Sequence, residues 1–196
     1  MLGVLNFEEI RNLLLRVTEL VGLQDRRDAG FVAEVKRWLV ALEEVLANNR
    51  LALAGSVAAL RGTLLSAERG VIPADVAFRG RPTARRIIEA VASDILRRTS
   101  TLIAEALKPD EARIADAERL ARQLVSVAIL KGLFRTISHE GDHTAYLKAI
   151  WHSLSIDNEI GAGAANLLAL VGPNDSLMII DRILTSLASN GRVLRP

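Results

Sequence analysis

The chain has 196 residues, half of them hydrophobic but only 4% aromatic, so its core must be built from Leu, Ala, Ile and Val, a composition that favours packed helices. Lysine and arginine total 25 against 23 acids, and a formal charge of +2 is too slight a surplus to mark a strongly cationic, nucleic-acid-coating chain. The absence of cysteine excludes disulfides and thiolate metal centres, and the longest uncharged stretch, 160–174, is fifteen residues broken by glycines and Pro173, short of the roughly 20 that a membrane span needs.

The opening MLGVLNFEEIRN reaches charge before a signal-peptide core can form, so a soluble, cytoplasmic protein is expected. Asn6 with Glu9 reads as a capping pair, followed by a first helix with Ile10, Leu13, Leu14, Val17, Leu20 and Val21 on one stripe up to Gly22. A second helix carries Phe31, Val35, Trp38, Leu42 and Val45 on its seam and Glu34, Lys36, Arg37, Glu43 and Glu44 on a solvated face. The pattern leaves open whether the chain breaks at Asn48-Asn49 or runs on as one rod, because 50–69 is again helical. There Ala54, Ala58 and Gly62 stand four apart, a spacing that allows another helix to come close.

Residues 70–82, GVIPADVAFRGRP, form the one long irregular piece and the place where a single domain spanning 1–196 would weakly subdivide. A further helix over 83–107 points Ile88, Val91, Ile95, Leu102 and Ile103 inward, and Lys108-Pro109 is expected to turn a tight corner into an antiparallel neighbour. That neighbour, 109–138, is the expected centre of the fold. Pro109 suits a helix start, Asp110 and Glu111 complement the helix dipole, and Ile114, Ala117, Ala121, Leu124 and Ala128 share one face. From 124 to 134 the run is almost wholly apolar, interrupted by Ser126 and Lys131, and a helix apolar all round must be covered on all sides.

Beyond it lie a shorter helix around Tyr146, Ile150, Trp151 and Leu154, and a segment 157–171 whose glycine-rich start is either a loop or a first turn against neighbouring backbone. A last helix opens at Pro173, with Leu177, Ile180, Ile183, Leu184 and Leu187 buried, and closes at Asn190-Gly191. The fold class is therefore all-α, a bundle of seven to eight helices around a central buried helix.

Two constellations carry possible chemistry. His139-Glu140-Gly141-Asp142-His143 fits H-E-x-x-H and resembles, over those five residues, the zincin metalloprotease signature. The resemblance implies zinc held by His139 and His143, with Glu140 as the base and Glu159 or Asp157 as a third ligand. Glycine and aspartate in the middle make a poor helix interior, however, and the stretch also reads as a helix end followed by a new start capped by Asp142. A di-iron reading through Glu140 and His143 needs a second Glu-x-x-His pair, which the sequence lacks. The second constellation is Arg79, Arg81, Arg85, Arg86, Arg97 and Arg98, whose guanidinium forks suit phosphate. Phe78 is the one aromatic nearby, so stacking on single-stranded bases is unsupported.

No phosphate-binding loop, nucleophile elbow or dinucleotide fingerprint is present; Gly161 and Gly163 are a fragment of the last without its strand. The expectation is a non-enzymatic helical interaction or scaffold module without a cofactor, a homo-oligomer or a subunit or adaptor of a larger protein assembly. The alternatives are a nucleic-acid-associated protein using the Arg79 to Arg98 region and a zinc-dependent hydrolase using the HEGDH stretch.

Overall fold

The structure, a computed structural model, describes residues 2–71, 83–135, 137 and 142–189. Every regular element among them is helical: α1 (Val4–Leu15), α2 (Val17–Asp25), α3 (Phe31–Asn48), α4 (Leu53–Glu68), α5 (Ala84–Leu130), α6 (His143–Ile156), α7 (Gly161–Val171) and α8 (Pro173–Ser189). The all-α class is as the sequence implies. None of these helices is long and apolar enough to cross a membrane. The chain divides into two compact units, Val4–Lys108 and Pro109–Pro196, and α5 contributes to both.

In the first unit α3 is the core element. Phe31, Val35, Trp38, Leu39, Leu42 and Leu46 recur at three and four residues and are all buried. Trp38 also satisfies its indole N–H by donating to the carbonyl of Leu13 at 2.8 Å. In an unbroken helix that carbonyl would serve the N–H of Val17, so a distant side chain takes the place of a ladder bond and the expected single first helix is two, parted at Arg16. Because α1 begins at Val4, Asn6 lies inside it and is not its cap.

The open question at Asn48-Asn49 resolves as a break. Arg50 adopts a left-handed conformation (φ 56), while Arg50 N–H donates to Ala47 and Leu51 N–H to Leu46, both at 2.9 Å, the double bond pattern that closes a helix. The returning α4 is braced by Lys36–Glu68 and Arg61–Glu43, each 2.7 Å, so two residues expected on a solvated face of α3 instead hold its neighbour. α4 buries Val57, Leu64 and Ala67, whereas Gly62 is exposed with open space where a side chain would stand; the small-residue spacing is not a close-approach seam. The first part of α5 buries Val91, Ala92, Ile95, Leu96 and Ile103 and joins α2 by reciprocal hydrogen bonds between Gln24 and Ser93. Leu102, expected inward, is 36% exposed.

The corner expected at Lys108-Pro109 does not form: α5 runs through Pro109 as one helix of 47 residues. Proline removes one ladder bond, the one that Glu105 carbonyl would accept, but Pro109 is exposed, so water can replace it. Strong helix formers flank it on both sides, with Lys108–Glu105 and Arg113–Asp110 ion pairs spanning the turns before and after.

In the second unit the expected face of α5 is buried as read: Ile114, Ala117, Ala121, Leu124 and Ala128. Ile150 and Leu154 of α6, Ala164, Leu167 and Val171 of α7, and Ile179, Ile180 and Leu184 of α8 complete this core. Arg113 ties α5 to the end of α7 by donating to Leu170 carbonyl at 2.9 Å. Two glycines let α7 seat closely. A Cβ at Gly161 would stand 2.7 Å from Ser155 carbonyl oxygen, and one at Gly163 would stand 2.7 Å from Leu124 Cδ2. The glycine-rich start is thus a first turn against backbone. Apart from Gly70 and Val71, the irregular piece 70–82 lies outside the described residues, as does the expected closure at Asn190-Gly191.

Candidate interaction surface

The apolar run 124–134 ends its helix earlier than its composition implies. Gly132 takes a left-handed conformation (φ 70), its N–H donates to Ile129 and that of Leu133 donates to Ala128, both at 3.0 Å. Glycine at this position meets no Cβ penalty, and the last carbonyls of α5 are satisfied. Phe134 folds back into the core at 4% exposure, whereas Leu130 is 86% exposed and Val127, three residues before it, 37%. The run is therefore not covered on all sides. Buried residues fall at 121, 124, 125 and 128, the period of one face, while Val127 and Leu130 look outward.

Lys131 sits one turn after Val127, its N–H donating to Val127 carbonyl at 2.9 Å, and its ammonium reaches the junction of α6 and α7. There it meets both carboxylate oxygens of Asp157, at 2.6 and 2.7 Å, and Glu159 at 3.1 Å. Asp157 caps the turn that starts α7: Oδ1 accepts from the N–H of Glu159 at 2.9 Å and of Ile160 at 3.2 Å. The hydrogen bond from Lys131, followed by that from Glu159 N–H, holds the Asp157 carboxyl below its ordinary range against the opposing effect of burial. The same bond holds the Lys131 ammonium above its ordinary value, again against burial.

This bridge joins the end of α5 to the start of α7 across 26 residues of sequence. Leu130 precedes Lys131 and Ile156 precedes Asp157; they are 86% and 65% exposed. Val127, 37% exposed, stands three residues before Leu130 on the same helix.

Of the residues that the sequence nominates for zinc, His143 opens α6 and Asp142 caps that helix, accepting from Thr144 N–H at 3.1 Å as the junction reading expects. His143 Nε2 lies 3.0 Å from Asp181 Oδ1 on α8, while Glu159 faces Lys131. His139 and Glu140 lie outside the described residues, and among those described no three His, Asp or Glu side chains gather as a metal site needs. Of the arginine group, Arg79 and Arg81 also lie outside. Arg85 pairs with Glu89 at 2.7 Å, and Arg97 and Arg98 share Asp94 at 2.7 and 2.6 Å. These arginines spend their forks on acids one turn away along their own helix.

Lys131, Leu130 and Ile156 were not singled out by sequence. The available signal was a lone lysine inside an apolar run together with Asp157-x-Glu159 ahead of a glycine-rich helix start. No protein-family model, no curated protein and no solved structure matches the chain.

Proposed function

We propose that the chain is a non-enzymatic helical interaction module that docks a protein partner on exposed Val127, Leu130 and Ile156. The observation that carries this reading is the 86% exposure of Leu130 at a helix end held by two independent devices, the Gly132 closure and the Lys131–Asp157 bridge. These devices order the backbone that carries Leu130, and burying a leucine fully stabilises a complex by about 2 kcal/mol. Leu5 and Leu15, at 60% and 64% the next most exposed leucines among the described residues, stand on α1 separated by about 15 Å of helix rise.

The test places a photocrosslinking amino acid at position 130 of the full chain in cells, with the same group at exposed Arg119 as a control. A discrete adduct at 130 that the control lacks is the expected result. Smearing at both positions alike, or no adduct at either, refutes docking there.

A further inference from the structure

We infer that α5 has two forms, the continuous rod described above and one parted between Lys108 and Pro109, which makes that peptide bond a joint in the rod. The residues on either side are those of a helix end and a helix start. Lys108 is a cation where a last turn favours one, Pro109 suits a first helical position, and Asp110 and Glu111 put two acids in the turn that follows. In the continuous rod the same proline leaves the Glu105 carbonyl without its ladder partner and presses Lys108 away from helical backbone.

The stretch that opens carries no buried side chain: Leu107 and Ile114 are buried, and residues 108–113 between them are exposed or half-buried. The boundary between the compact units Val4–Lys108 and Pro109–Pro196 falls at the same bond. The ion pairs Lys108–Glu105 and Arg113–Asp110 close on opposite sides of it and survive its opening. With Lys108 as the residue flanking a new helix start, only two ladder bonds are given up, those that the N–H groups of Asp110 and Glu111 donate one turn back. Two such bonds on a stretch open to water are worth no more than the penalty that an interior proline imposes, so the two forms lie close in free energy.

The chain has no cysteine, so in the full-length protein spin labels attach only where Thr101→Cys and Gln123→Cys place them, at two exposed positions of α5. In the continuous rod these stand about 33 Å apart along the axis. Double electron–electron resonance is expected to give that distance together with a shorter one. Pro109→Ala removes the shorter distance. Lys108→Ser sets a cap before Pro109, with Glu111 placed to complete a capping box, and raises the ratio of shorter to longer about fivefold. In the unlabelled chain the amides of Asp110 and Glu111 exchange with solvent through the same opening, and Pro109→Ala slows them by about tenfold or more.

A chain that shows the longer distance alone, a shorter distance that persists in Pro109→Ala, or a ratio indifferent to Lys108→Ser overturns the proposal. So does exchange at Asp110 and Glu111 that Pro109→Ala leaves unchanged, a result that needs no label and no added cysteine.

Discussion

Replacing Pro109 by alanine distinguishes a helix that passes through this residue from one that starts at it. At a first helical position proline costs nothing, since its missing N–H would be unpaired anyway and its fixed φ suits the helix. In a helix interior it is about 3 kcal/mol less favourable than alanine. Here α5 continues for 25 residues before Pro109 and 21 after it, which makes the position interior. Exposure of Pro109 lets water serve the Glu105 carbonyl, which lowers the strain recovered, so Pro109→Ala is expected to stabilise by about 1–3 kcal/mol. For a chain of this size each kcal/mol raises Tm by about 2–4 °C. Thermal melts followed by far-ultraviolet circular dichroism, with urea titrations at unchanged slope, read this directly. A variant with the same or a lower Tm refutes the continuous helix and restores the corner that the Lys108-Pro109 dipeptide suggests.

Other perturbations have equally definite directions. Thr99 is fully buried in α5 and its hydroxyl has no hydrogen-bond partner among the described residues, so Thr99→Val, which keeps the shape, should stabilise by about 1 kcal/mol in urea titration. Gly161→Ala sets a methyl against rigid backbone at Ser155 and should destabilise by about 1–3 kcal/mol. Gly163→Ala meets closely the end of the Leu124 side chain, with Leu120 Cδ1 at ordinary contact distance, and gains helix propensity, so its Tm should stay within about 2 °C of the wild type. The Asp157 carboxyl is held below its usual 3.8, so its bonds stabilise the fold fully above that value and are lost as pH falls through the lowered one. Asp157→Asn should therefore lower Tm at neutral pH and flatten the loss of Tm below about pH 4.

What the sequence makes legible is periodicity and local capping. The buried face of α5 from Ile114 to Ala128, the seam of α3 and the Asp142 start of α6 are all decided within one or two turns of chain, where side-chain spacing and a single cap dominate. What escapes is set by partners far along the chain. The parting of α1 and α2 depends on Trp38 reaching Leu13, and the turn of α3 into α4 depends on Arg50 accepting a left-handed backbone that local preference gives to glycine. Pro109 misleads for the opposite reason, because a strong local breaker is overridden by long helix-forming flanks that bury faces in both units.

The same contrast explains why the exposed apolar residues at the end of α5 are hard to read. Apolar residues without a break from 127 to 130 count, by composition, toward the core, and only the Gly132 closure and the register fixed by Ala121, Leu124, Val125 and Ala128 decide which of them face out. Lys131 then completes the distinction. A lysine inside an apolar run would ordinarily mark the edge of a buried face, but here its ammonium crosses to Asp157 and pins α7 instead of reaching for solvent. The ammonium is drawn aside into that bridge, and the leucine stands bare beside it. The bridge serves the monomer by holding α7 to α5; the bare leucine adds nothing to that, and it is the residue on which the proposed docking rests.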